Sequence, residues 1–581
     1  MASNPVDSTP DAAAFPARKW TPRPGAEVRQ SATVVVLRRA DAAMQVLLLR
    51  RSERSGDINS GASVFPGGLV DAADRDGAAL CVGLDDAQAS ARLGLPGGGL
   101  SFWFAAMREC FEEAGLLYAT TAANGALSAA QLEAIAAQRA ALNRHELDMA
   151  ALCRHFDIRL AADRLLYLDH WLTPPGVPKR YDTRFFLTEV PPLQVASQDN
   201  RETDDQQWLT PAQALQRRNE LRLAPPTYRI LERLQRLGSV DAALAHARAL
   251  RAVPCTMPRL AIGAKGLRPV FPDEPAYAEI ARCDPDGNGG HRGELTPGPA
   301  VRLSPRLIRV TAPNGSVMTG PGTNTYLIGG GEHNEWAVLD PGPDDAAHLE
   351  AIVAAAPGPI RWIFVTHTHP DHSPAARALA QRSGAPVHGM RPLHAEWQDT
   401  SFAPTVELAG GEVFELPGPD GGSTLRVLHT PGHAANHLCY LLEQERMLFT
   451  GDHVMQGSTV VINPPDGDMR AYLGSLRELL ALELDWLAPG HGFLIAEPRR
   501  ALQAIIDHRL AREAKVLAAL PAGGAQRSED ELLARVYDDA PAQVMHVARR
   551  SLRAHLLKLR DDGLAAGDAE HGWRRLQPGR R

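Results

Sequence analysis

The stretch Ile363-Phe364-Val365-Thr366-His367-Thr368-His369-Pro370-Asp371-His372 decides how this chain is read. An apolar run typical of a buried strand leads directly into three histidines and an aspartate. A lone histidine is ordinarily a core or surface residue, whereas alternating His-x-His-x-Asp-His aims several ligating groups at one place and marks a metal site. His433 in Thr430-Pro431-Gly432-His433, Asp452 in Gly451-Asp452-His453 and His491 in Pro489-Gly490-His491-Gly492 complete the set, each in a loop after an apolar segment. Neutral imidazoles suit zinc, carboxylates compensate its charge, and a two-metal cage can share one water. Because metal coordination can bring the pKa of water to about 7, hydrolysis is the chemistry expected. His388, His394, His429 and His453 fall outside the ligand pattern, and Asn436 and His437 could either touch substrate or hydrogen-bond within their loop.

Around this motif, short apolar runs at 307–310, 325–328, 336–339, 426–428 and 447–449 predict strands, each followed by a loop or helix. Beyond His491 the pattern predicts a helix through Ile505 and Ile506 to Leu520, then a compact tail, 526–576, with two or three helices. Arg549, Arg550, Arg553, Lys558 and Arg560 give the tail a basic face, which is either a set of phosphate contacts or a solvated helix face. On the other side, periodicity fails between Arg251 and Pro305, and Pro, Gly and Asp accumulate in Cys283-Asp284-Pro285-Asp286-Gly287-Asn288-Gly289-Gly290, as in an interdomain linker. Those residues nearly match a calcium loop, but Leu295 stands where a bidentate glutamate belongs, so a solvated turn is expected.

The first half carries a second constellation, Arg108-Glu109-Cys110-Phe111-Glu112-Glu113-Ala114-Gly115-Leu116. On a helix, Glu109 shares a side with residues three and four further on, so Glu112 and Glu113 are expected to converge with it. Crowded carboxylates call for a cation, and oxygen-only ligands favour magnesium or manganese. A merely acidic solvent face is the alternative. Strands are predicted at 33–37, 46–49, 167–172 and 183–190, and helices dominate 101–117, 128–155 and 211–249, which makes a mixed α/β region of ordinary domain size.

At 581 residues the chain exceeds one core. Its net charge of -7 and pI near 6.3 provide no global basic field, so nucleic-acid binding would need a local patch. The six cysteines are scattered without CxxC pairs, which fits a reducing cytoplasm. The N-terminus lacks the apolar core of a secretory signal, and no stretch approaches the roughly 20 apolar residues of a membrane span.

The set Asp340, His367, His369, Asp371, His372, His433, Asp452 and His491 resembles the metallo-β-lactamase superfamily. The resemblance implies an αββα sandwich with two zinc ions at one edge. His367, His369 and His433 would hold one, Asp371, His372 and His491 the other, and Asp452 would bridge them, with Asp371 also assigned a catalytic role. An aspartate at 452, where the antibiotic-destroying enzymes have cysteine, points toward the glyoxalase II-like branch. Gly320-Pro321-Gly322-Thr323-Asn324-Thr325-Tyr326-Leu327, Gly467-Asp468-Met469 and the tail with His508-Arg509 and Arg512-Glu513 are similar to the β-lactamase-like protein 2 group, which has a C-terminal winged helix. That likeness implies a single-strand endoribonuclease activity as an alternative to ester or thioester hydrolysis.

Phe65-Pro66-Gly67-Gly68-Leu69-Val70-Asp71 together with the Arg108–Leu116 segment resembles the Nudix box. Asp74 stands where its first glutamate belongs, and a 33-residue stretch separates Asp74 from Arg108 where the box has seven. Trp171-Leu172-Thr173-Pro174, Arg180-Tyr181-Asp182-Thr183-Arg184-Phe185-Phe186 and Leu223-Ala224-Pro225-Pro226-Thr227 are similar to the long-insert group that includes a coenzyme A diphosphatase. The resemblance implies cleavage of a nucleoside diphosphate-linked compound with magnesium or manganese on Glu112 and Glu113, and Glu109 as ligand or base. The alternative is a non-catalytic nucleotide-binding or docking module. The expected organisation is a disordered tail 1–30, a Nudix α/β/α sandwich 31–245, a linker 246–304, a metallo-β-lactamase sandwich 305–497, and a helix with a small winged-helix domain 498–581. Small-molecule substrates are the expected partners, with no membrane; oligomeric state is not legible.

Overall fold

The computed structural model describes residues 25–40, 43–52, 61–197, 203–330, 335–417 and 422–576. Of the tail expected over 1–30, residues 1–24 lie outside the described residues. The chain divides into two compact units, one running to Leu260 with 286–289 added, the other comprising 261–285 and 290 onward.

The first unit is built on a mixed sheet in the order Thr203–Leu209, Ala43–Arg51, Val28–Ala40, Arg180–Glu189, Leu166–Leu172, Cys255–Thr256. Val28–Ala40 runs antiparallel to Ala43–Arg51 and parallel to Arg180–Glu189, and the short strand Gly67–Leu69 pairs along its start. The helix Leu100–Ala114 packs on this sheet, with the Trp103 ring 4.6 Å from Phe186. Every residue of the helix is buried except Arg108, Glu109 and Glu112, so its apolar bulk fixes where those three polar groups emerge. It stops at Gly115, whose φ of 70° provides the left-handed cap that side-chain-bearing residues adopt only at a cost. The helical stretches expected at 128–155 and 211–249 are each broken into three shorter helices; in the second, Pro225 opens Pro225–Leu237 and Gly238 closes it.

The second unit contains two facing sheets. One runs Ala300–Ser304, Leu307–Thr311, Asn324–Gly329, Trp336–Leu339, Ile360–Phe364, Val387–Gly389, Val406–Glu407, and the other Val413–Leu416, Ser423–His429, Leu438–Leu442, Met447–Gly451, Trp486–Pro489, Ile495–Ala496. Side chains alternate between the two faces of a strand, and here both faces are covered. Tyr326, Ile328, Leu339 and Phe364 meet Leu425, Val427, Tyr440 and Phe449 between the sheets. Leu327, Val338 and Ile363 turn outward to Ile352 and Leu379 of the helices Ala346–Ala355 and Ala375–Ser383. Leu441, Leu448 and Leu487 turn outward to Leu473 and Leu476 of Met469–Leu480 and Leu502 of Pro498–Ala519. The result is the expected αββα sandwich. The tail forms helices Glu529–Val536 and Met545–Asp561 and the hairpin Ala565–Asp568 with Gly572–Arg575, around a core of Leu532, Leu552, Leu556 and Trp573.

The stretch 246–304, expected as a linker, is folded over much of its length. It holds the hairpin Arg259–Gly263 and Gly266–Val270, the helix Tyr277–Cys283 and the strand Ala300–Ser304. Its prolines and glycines mark tight connections between very short elements. Asp284 Oδ2 accepts from the Gly290 amide at 3.3 Å, a turn of the kind expected there. No helix among the described residues is long and apolar enough to cross a membrane.

Candidate metal centre and a second carboxylate cluster

The strands of the sandwich end where the ligating residues begin. Asp340 follows Trp336–Leu339, the His367 to His372 motif follows Ile360–Phe364, Asp452 follows Met447–Gly451, and His491 follows Trp486–Pro489. Two groups form: His367, His369 and His433, and Asp371, His372, Asp452 and His491, each with ligating atoms within 4.8 Å of one another. In the first, His369 Nδ1 lies 3.0 Å from His367 Nε2 and 3.1 Å from His433 Nε2. In the second, Asp452 Oδ1 lies 3.3 Å from His372 Nε2 and 3.2 Å from His491 Nε2. The other oxygen, Oδ2, turns 3.7 Å toward His433 Nε2, so one carboxylate faces both groups.

Each imidazole has its outer nitrogen tied down. His372 Nδ1 is 2.9 Å from Asp340 Oδ2, and His369 Nε2 is 3.1 Å from Asp466 Oδ2. His433 Nδ1 meets Val461 O at 2.8 Å, and His491 Nδ1 meets Gly322 O at 3.2 Å. Thr366 Oγ1 donates to Asp340 at 2.8 Å, which leaves it to accept from His367 Nδ1 at 3.0 Å. With the outer nitrogen engaged, all five rings turn their other nitrogen inward. Asp340 itself sits at φ 50° and also accepts from the Thr366 amide at 2.7 Å, which fixes the start of the histidine motif.

Burial then poses a question that the protein atoms leave unanswered. His372 Nε2, His491 Nε2 and Asp452 Oδ1 are buried without a hydrogen-bond partner. Asp452 Oδ1 faces the two nitrogens at 3.2–3.3 Å without aligned hydrogen bonds, and three buried polar atoms aimed at one point in this way fit a bound cation. The donor set, imidazole with carboxylate and no thiolate, fits zinc. Burial drives His367 and His433 down, His433 to about 4. Burial also opposes charge on His491, but Asp452 and Asp371 outweigh it and raise the ring to about 10. His372 is raised by Asp371, Asp452 and Asp340, again against burial.

Two neighbours of the cage, Asp466 and Thr323, have no role assigned from the sequence, whereas Asn436 and His437 are candidates for substrate or loop contacts. Asp466 holds His369, the Ala435 amide at 2.8 Å and Gln398 Nε2 at 2.8 Å, yet Pro464-Pro465-Asp466-Gly467 reads as a surface turn. Thr323 Oγ1 donates to Asp371 Oδ2 at 3.2 Å. Asn436 is buried, bonding Thr368 Oγ1 at 2.8 Å and accepting from Gln398, a support within the loop. His437 is also buried, its Nδ1 2.9 Å from Thr430 Oγ1 and its ring 5.0 Å from His367.

In the first unit Arg108 organises the acids. Its Nη1 donates to Glu109 at 2.9 Å and Glu112 at 3.0 Å, and its Nε donates to Asp74 at 2.7 Å. Glu113 instead accepts from the Gly67 amide at 2.9 Å. The Glu109 carboxylate lies against Gly68, so Glu109 and Glu113 flank the same glycine turn while Arg108 holds Glu109 and Glu112 together. Asp74, at the unusual position, is fully buried against Arg108. Three carboxylates share one guanidinium, and burial pushes Glu109 up to about 7 and raises Glu112 and Asp74 as well. That uncompensated charge fits an oxygen-liganded divalent cation.

Comparison with known proteins agrees with this architecture. Family models match residues 318–491 as the metallo-beta-lactamase superfamily, 84–234 as the NUDT19 Nudix domain and 528–573 as the beta-lactamase associated winged helix domain. An atrochrysone carboxyl ACP thioesterase of Aspergillus chevalieri is 32% identical over 293 residues, 48% of this chain and 90% of that protein. A beta-lactamase-like protein 2 homolog of Drosophila melanogaster is 30% identical over 282 residues, 46% of this chain and 91% of that protein. The chain belongs to the metallo-β-lactamase superfamily, as a multidomain hydrolase that also carries a Nudix domain and a β-lactamase-associated winged helix.

Proposed function

We propose that the second unit hydrolyses an ester or thioester at a two-zinc centre, and that the first is a magnesium- or manganese-dependent pyrophosphatase for a nucleoside diphosphate-linked compound such as coenzyme A. The observation that carries the first half is Asp452, whose two oxygens face the two nitrogen groups. His367, His369 and His433 would hold one ion, Asp371, His372 and His491 the other, with Asp452 between. Bound metals supply Lewis acidity and lower the pKa of water there. The carbonyl carbon of the substrate accepts water and the C–S or C–O bond breaks. Asp371, whose carboxylate is fixed by Thr323, takes the proton of the attacking water and returns it to the leaving thiol or alcohol.

A thioester is favoured over RNA by the tail. Arg549 pairs with Asp530, Arg553 with Glu529, Lys558 with Glu513 and Asp562, and Arg560 with Asp561. Arg550 lies 5.3 Å over the Trp397 ring. Cations already neutralised by neighbouring carboxylates release few counterions and attract phosphate weakly. The thioesterase name of the Aspergillus relative supports the same choice.

In the first unit Glu109, Glu112 and Glu113 would hold the cation, Arg108 sets the rotamers of the first two, and Glu109 is placed to accept a proton from water.

The test is a panel of thioesters, esters, single-stranded RNA and nucleoside diphosphate conjugates on the full chain and on Asp452→Ala, with bound metals counted. Loss of thioester cleavage by about 100-fold or more, with fewer metals bound, is expected for Asp452→Ala. Full activity with the metal count unchanged would remove the proposed cage.

A further inference from the structure

The loop that carries His491 is held from a part of the chain far from the ligand motifs. Glu279, on the helix Tyr277–Cys283, is fully buried. Its Oε2 accepts from the Leu494 amide at 2.9 Å and from Arg309 Nη1 at 2.6 Å. Its Oε1 accepts from Arg309 Nη2 at 2.8 Å and lies 3.0 Å from His291 Nε2. A second tie runs through Gln456, whose Nε2 donates to Pro275 O at 2.9 Å while its Oε1 accepts from the Phe493 amide at 2.8 Å. Between these ties, Phe493 packs with Ala261, Val270, Ala276 and Ile280, and the Arg309 guanidinium lies 5.6 Å from its ring. On its other side His491 bridges Thr323 and is capped by Gly322 O, and Asn324 Nδ2 donates to Gly492 O at 2.8 Å.

We infer that the segment 261–285 is a clamp on the His491 loop, with Glu279 as a positioning residue that sets the second metal group. The carboxylate reaches the loop three residues past the ligand, so it acts through the backbone of Phe493 and Leu494 without touching the cage. A buried carboxylate held by four contacts from three residues has one orientation, and Arg309 on the strand Leu307–Thr311 fixes that orientation to the sheet. The metal-binding unit accordingly begins at Ala261, not at 305, because the loop would lose both its backbone ties and the apolar seat of Phe493 without that segment. The inference rests on the two-metal reading of the cage.

The experiment is zinc titration of the full chain against a competing chelator, for the unsubstituted protein, Glu279→Gln and Gln456→Ala. The unsubstituted protein is expected to bind two equivalents; fewer than two would defeat the cage reading itself, separately from the clamp. In both variants the equivalent held by Asp371, His372 and His491 should weaken by about 10–100-fold, the usual effect of losing an outer support, while the His367, His369 and His433 equivalent stays within about twofold. A merely structural residue would weaken both equivalents or neither. Should Glu279→Gln fail to fold, Gln456→Ala decides alone. Two equivalents of unchanged affinity in the folded variants, or equal weakening of both, would overturn the clamp.

Discussion

Each histidine of the cage is used from both ends: the outer nitrogen binds protein and the inner one waits for a ligand. The two groups nevertheless differ in charge before metal arrives. His433, at about 4, is neutral at pH 7, and His367 is pushed in the same direction by burial and by its imidazole neighbours. His491, at about 10, and His372 carry protons stabilised by Asp371, Asp452 and Asp340. Metal must displace those protons but meets none on His433 or His367. Calorimetry in two buffers of different ionisation enthalpy should therefore show about one to two protons released with the second zinc equivalent and fewer with the first, and second-site affinity should fall by about tenfold per pH unit per proton as pH drops. Equal proton release by both equivalents would mean the charge asymmetry is absent. At this scale the sequence was legible where candidate ligands sit in a dense motif that the fold brings together. It was illegible for Asp466 and Thr323, since a single aspartate in a proline turn and a threonine beside a glycine look like ordinary loop residues until folding brings them to His369 and Asp371.

At the scale of elements, the helix Leu100–Ala114 shows how an apolar pattern can be read correctly while the partners of its polar groups cannot. Spacing put Glu109, Glu112 and Glu113 on one side; it did not give the Arg108 guanidinium between Glu109 and Glu112, or the Gly67-Gly68 turn that Glu109 and Glu113 both meet. Only the strand pairing of Gly67–Leu69 onto Val28–Ala40, a contact remote in sequence, places that turn. The stretch 261–285 was misread for a related reason: its elements are too short for periodicity to register, and their apolar partner, Phe493, comes from more than 200 residues away. The crowded helix has a measurable consequence. Burial raises Glu109 from 4.5 to about 7, so the folded metal-free protein keeps a proton that the unfolded chain gives up in that interval. Its stability contribution is complete below pH about 4.5 and declines as pH rises through about 7, with a slope of at most about 1.4 kcal/mol per pH unit for one group. Thermal melts of the metal-free chain should show the first transition falling across this window, magnesium or manganese restoring it, and Glu109→Gln flattening it. A transition that rises with pH over the same range in the unsubstituted chain would contradict the burial of these carboxylates.

At the scale of the whole molecule, the histidine-aspartate cage and the Arg108–Glu113 carboxylate cluster share no residue and belong to different compact units. They also differ in chemistry: nitrogen-rich and suited to zinc in one, oxygen-only and suited to magnesium or manganese in the other. Sites without common partners contribute independently to a first approximation. Glu112→Gln should therefore lower cleavage of a nucleoside diphosphate conjugate by about 100-fold or more while thioester hydrolysis stays within about twofold, and Asp452→Ala should do the reverse. Metal preference should separate in the same way, with zinc restoring the chelated protein's thioesterase and magnesium or manganese its pyrophosphatase. Coenzyme A thioesters make the comparison sharpest, because one molecule offers both a thioester and a pyrophosphate. If each substitution reduced only its own bond cleavage on that single substrate, the fusion would join two independent hydrolases of one compound class. If either substitution slowed both cleavages by similar factors, one site would be gating the other, and the assignment of separate activities to the two units would fail.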